Sequence, residues 1–381
     1  MSVLMEPIEI DAFRTYIKLN IKSEIIKNIR PHGHACNVIE HPDFGLYLFW
    51  YCGSYEGAED QIIAGATRDP NDEWNPSKVI LGRFEYGGDE WIPEISVPIL
   101  NNDGSINLYF FATPISSFIL RKSAYMISLY PYDFYANIRR PLWVRSLEKA
   151  KIFRTTLIDG KAQTPTCVCD DEGMIVYGPS LKLKSGRWMI PCHKEIRTGN
   201  FQAHGIFHTK FLISKQSQEE WELHGDIFSP PFGCLEPTVV QLPDEVILCY
   251  MRFGARGGGH IWRSTSLNEG QTWSPPTQTN LRNPHSGTCI ALSSTGKLLI
   301  AFNDSYLLRT PLCVGVSQDL GKTFYVRDIE MQPGEYSYPK LLQTSDGLWH
   351  LFYTYNRTCI KHVWFEEEWL MEGRIVIGLR D

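Results

Sequence analysis

A carboxylate, two arginines and several histidines stand where apolar, strand-like runs begin or end. Glu236 opens the run Glu236-Pro237-Thr238-Val239-Val240-Gln241-Leu242, and Arg252 closes the next run, sixteen residues on. Arg309 follows in Leu308-Arg309-Thr310-Pro311. A guanidinium is a permanent planar fork, so two that converge can each make bidentate, charge-assisted bonds to one carboxylate. The bland alternative is two surface arginines in hairpin loops. His32 and His34 lie two residues apart, hence on one strand face, in Pro31-His32-Gly33-His34-Ala35-Cys36. Imidazole can donate to a carboxylate, or act as acid or base near neutral pH, but it is no permanent fork. His285 joins the set because its turn, Asn283-Pro284-His285-Ser286-Gly287, opens another run. His204 and His260 fall at comparable places, although most of the eleven histidines are expected to be structural or exposed.

The elements that must hold these groups read as strands. Short apolar runs such as Leu46-Tyr47-Leu48-Phe49-Trp50-Tyr51 and Lys297-Leu298-Leu299-Ile300-Ala301-Phe302 recur, often introduced by turns such as Asn102-Asp103-Gly104 or Ser345-Asp346-Gly347. That is hairpin chemistry, with no long amphipathic pattern to compete. Two turns repeat: Ser266-Leu267-Asn268-Glu269-Gly270-Gln271-Thr272-Trp273 and Ser317-Gln318-Asp319-Leu320-Gly321-Lys322-Thr323-Phe324, 51 residues apart. Asp or Asn folds back on the turn's own backbone, Gly takes a positive φ, and the aromatic plugs the hairpin onto the sheet. The spacing is that of propeller blades. The expected fold is all-β, a six-bladed β-propeller of four-stranded antiparallel sheets in one domain, 1–381. Units fall at roughly 25–80, 81–156, 157–228, 229–278, 279–328 and 329–375, and segment 1–24 or the C-terminal strand closes the ring.

Composition narrows the partners. The net charge of −6 and the lack of a basic run argue against nucleic acid and against an anionic membrane. An anionic ligand must then be held by local arginines. No signal-peptide core or membrane span is visible, and the ten cysteines are scattered through apolar runs, as reduced thiols in a cytoplasmic protein would be. Cys167-Val168-Cys169 with Cys192-His193 fits no common zinc spacing, so no metal is expected. Asn356-Arg357-Thr358 is a glycosylation sequon, with little meaning in such a chain.

The repeated turn is the Asp-box, or BNR repeat, and through it the chain resembles the sialidase superfamily, most strongly over 236–365. That resemblance implies Glu236 opening its blade and Arg252 and Arg309 as two members of an arginine triad. It implies Tyr338, in Glu335-Tyr336-Ser337-Tyr338-Pro339, as nucleophile with Glu236 as its base; Tyr336 is the reserve and a candidate substrate contact. Asp60 stands where such enzymes hold their acid/base aspartate, a solvated acidic loop being the alternative. The family's opening Arg-Ile-Pro tripeptide is absent, and His34 stands in its place.

The reading is a glycosidase for an anionic glycan or small molecule, needing no cofactor. Asp60, Glu236, Tyr338 and His34 would be catalytic, with Arg252, Arg309, His32, His285 and Tyr336 binding substrate. Two rivals use the same pocket. One is a lyase or small-metabolite cyclase with His34 or His285 as acid/base; the other is a catalytically silent glycan-binding propeller.

Overall fold

The computed structural model describes residues 21–69, 73–120, 143–196, 205–254 and 259–379. His204, segment 125–135, glycines 257 and 258 and segment 1–20 lie outside the described residues. Six antiparallel sheets form blades around a channel, each with one strand innermost. These innermost strands are His32–His41, Asp89–Leu100, Met174–Val176, Cys234–Gln241, Cys289–Leu292 and Tyr336–Gln343. Blades one, four and six have four strands; two, three and five carry extra ones. The sixth blade takes its outermost strand from the start of the described chain, where Lys22–Lys27 pairs antiparallel with Cys359–Phe365. The C-terminal strand Arg374–Ile377 instead adds a fifth strand to the fifth blade. The ring is thus closed by a mixed blade, which removes an open edge.

The second strand of each blade is sandwiched between two neighbouring blades, which is why it reads as an unbroken apolar run. In Gly45–Gly53, Tyr47 and Phe49 face the second blade, while Leu46, Leu48, Trp50 and Cys52 face the sixth. Six apolar clusters fill the six inter-blade seams. All ten cysteines are free thiols, seven of them buried.

Both Asp-boxes fold alike. Gly270 and Gly321 amides donate to Ser266 and Ser317 Oγ at 2.8 Å, and Thr272 and Thr323 amides to Asn268 and Asp319 Oδ1 at 3.0 and 2.8 Å. The positive φ extends to Glu269 and Leu320, ahead of each glycine. Trp273 stacks on Phe211 of the preceding blade, and buried Phe324 contributes about 1.5–3 kcal/mol at the next seam. The first blade keeps only the end of the motif. There Asn75 N–H donates to Thr67 O at 2.9 Å, as Ser274 N–H does to Thr265 O at 2.8 Å.

A relay of neutral imidazoles joins the sixth blade to the first. Trp74 Nε1–H donates to His362 Nδ1 at 3.3 Å, and His362 Nε2–H to His350 Nδ1 at 2.8 Å. Thr344 gives its own proton to Asp346, so His350 Nε2–H donates to Thr344 Oγ1 at 3.1 Å. Burial holds His350 down at about 4 and His362 well below its usual range; buried His34 and His193 are lowered likewise. A histidine kept neutral in the fold binds its proton only in the unfolded chain, so its stabilisation is complete above about 6.5 and is lost as pH falls toward the folded value. Thermal unfolding measured from pH 7 down to about 5, before carboxylates titrate, should show a falling midpoint. His362→Phe should flatten that slope; an unchanged slope would show that this relay does not supply it.

Candidate active site

The innermost strands are bulged where the channel is widest in chemistry. Register shifts lie between His34 and Cys36, Pro93 and Ser96, Leu235 and Thr238, and Ser337 and Lys340. Ala35, Glu236 and Tyr338 take φ of 48°, 55° and 55° at three of them. A bulge re-aims a side chain, and left-handed backbone at a non-glycine residue costs about 1–3 kcal/mol. Glu236 and Tyr338 each precede a proline, which has no N–H to lose from the broken ladder.

The bulges bring Tyr338 and Glu236 together across the channel, from the sixth and fourth blades. Tyr338 Oη donates to Glu236 Oε1 at 2.5 Å. Arg252 Nε lies 3.0 Å from Glu236 Oε2, an ion pair whose N–H is not aligned for a hydrogen bond, and its Nη1 reaches Tyr338 Oη at 3.5 Å. Arg252 and Arg309 both face the Tyr338 ring, their guanidinium carbons 6.0 and 5.6 Å from its centroid. Burial, above all, raises the Tyr338 pKa; Glu236 adds to it, and the two arginines oppose it. The phenol therefore rests neutral, with a carboxylate ready for its proton.

Arg309 leads into a second, deeper network. Its Nη1 donates to Glu335 Oε1 at 2.7 Å, and Arg357 Nε donates to Glu335 Oε2 at 2.6 Å. Arg357 Nη1 continues to Glu56 Oε2 at 2.6 Å, in the loop after the first blade's second strand. Burial pushes the Glu335 pKa up, yet Arg357 and Arg309 outweigh it and hold the carboxyl below its ordinary range. Three arginines thus meet three carboxylates, Glu236, Glu335 and Glu56. The cluster is balanced in charge, and any preference for an anion lies in the direction of the forks.

Histidines frame this centre. The His34 ring lies 4.4 Å from that of Tyr338, edge to face. Thr354 Oγ1 accepts from Ala35 N–H at 3.0 Å and lies 2.8 Å from His34 Nδ1; with the hydroxyl proton assigned to Nδ1, the ring proton sits on Nε2. That Nε2–H is buried without a partner. His34 is a neutral donor because burial first, then Arg357, lowers its pKa well below the usual value. His32 packs against His34 and Tyr51. His285 serves through its backbone: at φ 59° its carbonyl accepts from Arg252 Nη1 at 3.2 Å and Arg309 Nη2 at 3.3 Å, while its Nδ1–H donates to Phe253 O.

Two expected site residues stand apart. Alternation would put Tyr336 and Tyr338 on one face, but the bulge between Ser337 and Lys340 separates them. Tyr336 is buried between the last two blades, against Tyr353 and Tyr355. Asp60 is bound by Arg30 Nη1 at 2.6 Å and by the Ser54 amide and hydroxyl at 2.9 and 2.8 Å, not by the Tyr338 cluster. Partial burial works to raise its pKa, but those bonds lower it on balance. Arg357, Glu335, Glu56 and Tyr177, whose ring lies 5.5 Å from Tyr338, are site residues that sequence reasoning missed. Arg252 lies at the end of the second strand of its blade, Arg309 and Arg357 follow the second strands of the next two, and the 48 residues from Arg309 to Arg357 are near one blade spacing. That periodicity was the available signal.

Comparison with curated proteins returns no match. Among solved structures, a Dyadobacter fermentans protein of unknown function superposes with a TM-score of 0.67 at 13% identity, over 91% of this chain and 99% of that one. The NanB sialidase of Streptococcus pneumoniae gives 0.67 at 13% identity, over 91% and 70%. The intramolecular trans-sialidase of Ruminococcus gnavus gives 0.65 at 11%, over 91% and 96%. Residues 45–351 match the family model described as a BNR repeat-like domain. The six blades, the two Asp-boxes and this match agree: the chain belongs to the BNR repeat-like domain family, and its fold is like that of these sialidases.

Proposed function

We propose that the chain is a sialidase-superfamily glycosidase acting on the glycoside of an acidic sugar, with Tyr338 as nucleophile and Glu236 as its base. The observation that carries this is the 2.5 Å bond from Tyr338 Oη to Glu236 Oε1 under two arginine forks. Glu236 takes the phenolic proton as Tyr338 Oη attacks the anomeric carbon, and the leaving oxygen departs with a proton. Water then releases the sugar and the proton returns to Tyr338. A neutral phenol suits this task, because a carboxylate nucleophile would be repelled by an anionic sugar. Arg252, Arg309 and Arg357 hold the sugar's carboxylate, with His34 Nε2–H as a further donor where a first-blade arginine is missing. The lyase alternative is less supported, since the depressed pKa of His34 makes it a weak base.

The test is phenol release from aryl glycosides of sialic and related nonulosonic acids, with absorbance near 230 nm followed for elimination products. Phenol from any of them supports the reading; an ultraviolet signal without phenol sinks it. Asp60 is the proposed leaving-group acid, and it must first exchange its bonds to Arg30 and Ser54. Its effect should therefore fall below the 10²–10⁴ range of a poised general acid. Asp60→Asn is expected to cost kcat about tenfold on a substituted phenyl glycoside, and less as the leaving phenol becomes more acidic. A flat dependence on the leaving group would remove Asp60 from that role.

A further inference from the structure

Behind the catalytic cluster, the channel is crossed by side chains that meet on one backbone carbonyl. Lys340, two residues beyond Tyr338, donates from Nζ to Tyr177 O at 3.1 Å, with its ammonium 3.6 Å from the centroid of the Tyr177 ring. Asn37 Nδ2 reaches the same carbonyl from the first blade at 3.3 Å, and Ser96 O at 2.8 Å. On the far side of this crossing lies a cavity of about 310 Å³, toward the C-terminal ends of the innermost strands. Its walls are largely apolar, with Val38, Ile39, Pro98 and Ile99 among them, and both Asn37 and Lys340 line it.

Two features of that lining are incompletely satisfied. Lys340 is 1% exposed, and its one hydrogen bond leaves the other ammonium donors unused. No carboxylate pairs with it among the described residues; Glu40, at the cavity's rim, is bound instead by the Ser345 amide and hydroxyl. Burial pushes the Lys340 pKa down to about 8, although Cys289, Cys36 and the Glu236 carboxylate, which face it from neighbouring blades, work to raise it. Asn37 Oδ1 is buried with no donor, and its amide orientation is fixed because Nδ2 already serves two carbonyls. Buried polar atoms are almost always satisfied, so an ammonium with donors to spare and an acceptor without a donor describe the ligand that fits them. It must offer an anion to Lys340, a donor to Asn37 Oδ1 and an apolar body to the walls.

We propose that this cavity is a second binding site, on the face away from Tyr338, for a small hydroxy-carboxylate with an apolar side chain. Its carboxylate pairs with Lys340, and its hydroxyl donates to Asn37 Oδ1. The site is independent of the glycosidase reading, because binding is measured directly and Tyr177 stands between the two centres.

The experiment is calorimetric titration of the full chain with 2-hydroxyisovalerate, with isovalerate and sodium chloride as comparison arms. Binding of the hydroxy acid is expected, with isovalerate weaker by about tenfold for the lost hydrogen bond. Affinity should fall as pH rises through about 8, where Lys340 gives up its proton. Lys340→Met, an apolar replacement for a buried amine, should lose binding while its thermal midpoint holds or rises. If that variant fails to fold, the pH dependence of the native chain decides. No heat with 2-hydroxyisovalerate, an affinity flat across that pH range, undiminished binding by a folded Lys340→Met protein, or equal displacement by chloride would each overturn the proposal.

Discussion

Tyr338→Phe is expected to abolish turnover of an acidic-sugar glycoside, lowering kcat by about 10³-fold or more, while KM and folding change little. The substitution removes one atom from a well-packed site. Phenylalanine keeps the ring that Arg252 and Arg309 face and that His34 meets edge-on at 4.4 Å. What is lost is Oη, its 2.5 Å bond to Glu236 and the capacity to form a bond to carbon. Because the bound sugar's carboxylate rests on the arginines, ground-state binding should survive, and the loss should appear in kcat. Glu236→Gln is the informative companion: it keeps Oη but removes the base and leaves Arg252 without its ion-pair partner. Both variants need kcat and KM determined separately, with a thermal midpoint as control. A loss of tenfold or less in Tyr338→Phe, with the fold intact, would remove this residue as nucleophile.

The ease with which parts of this site could be read follows from where their constraints are written. The Asp-boxes are local: serine, Asp or Asn, glycine and aromatic satisfy one another within eight residues, so their geometry travels with the motif. The blade count follows from them and from the second strands, apolar on both faces because both are covered. Glu236 and Tyr338 were paired through the resemblance to sialidases, which gave no sign of the bulges that aim them. A positive φ at a glutamate or a tyrosine has no local signature. Tyr336 shows the limit, since strand periodicity alone cannot tell which of two tyrosines a bulge will turn inward. Arg357 shows another. In sequence it is the middle of a sequon; in the fold, Asn356 and Arg357 both take positive φ in a turn that sends the guanidinium to Glu335 and Glu56. Those partners lie just ahead of the opening strand of its own blade and in a loop 301 residues away. Asp60 stands apart from the Tyr338 cluster because Arg30 and Ser54, 30 and 6 residues away in sequence, hold its carboxylate.

Glu335→Gln should destabilise the fold by about 3–5 kcal/mol, more than any other single charge removal in the site. The carboxylate is 8% exposed and receives Arg309 Nη1, Arg357 Nε and the Ser337 hydroxyl. Glutamine keeps the shape but presents one oxygen and an amide nitrogen where two guanidinium groups converge. Arg309 then retains the His285 carbonyl, and Arg357 retains Glu56. Neither arginine can shed its charge, so the cost of an unpaired buried cation falls on the folded state. Glu56→Gln supplies the contrast: its side chain is 30% exposed, solvent screens the pair, and about 1 kcal/mol or less is expected. The pH dependence separates electrostatics from lost packing. Glu335 has a folded-state pKa held below its unfolded value, so its stabilisation is present above that unfolded value and is lost as pH falls through the folded one. The native chain should lose stability more steeply in that acid range than Glu335→Gln does, and the two curves should converge at low pH. Parallel curves would mean that the arginines are held by packing and not by this carboxylate. The forks would then be fixed independently of charge, and the balance of three arginines against three carboxylates would no longer explain how the site is kept in order.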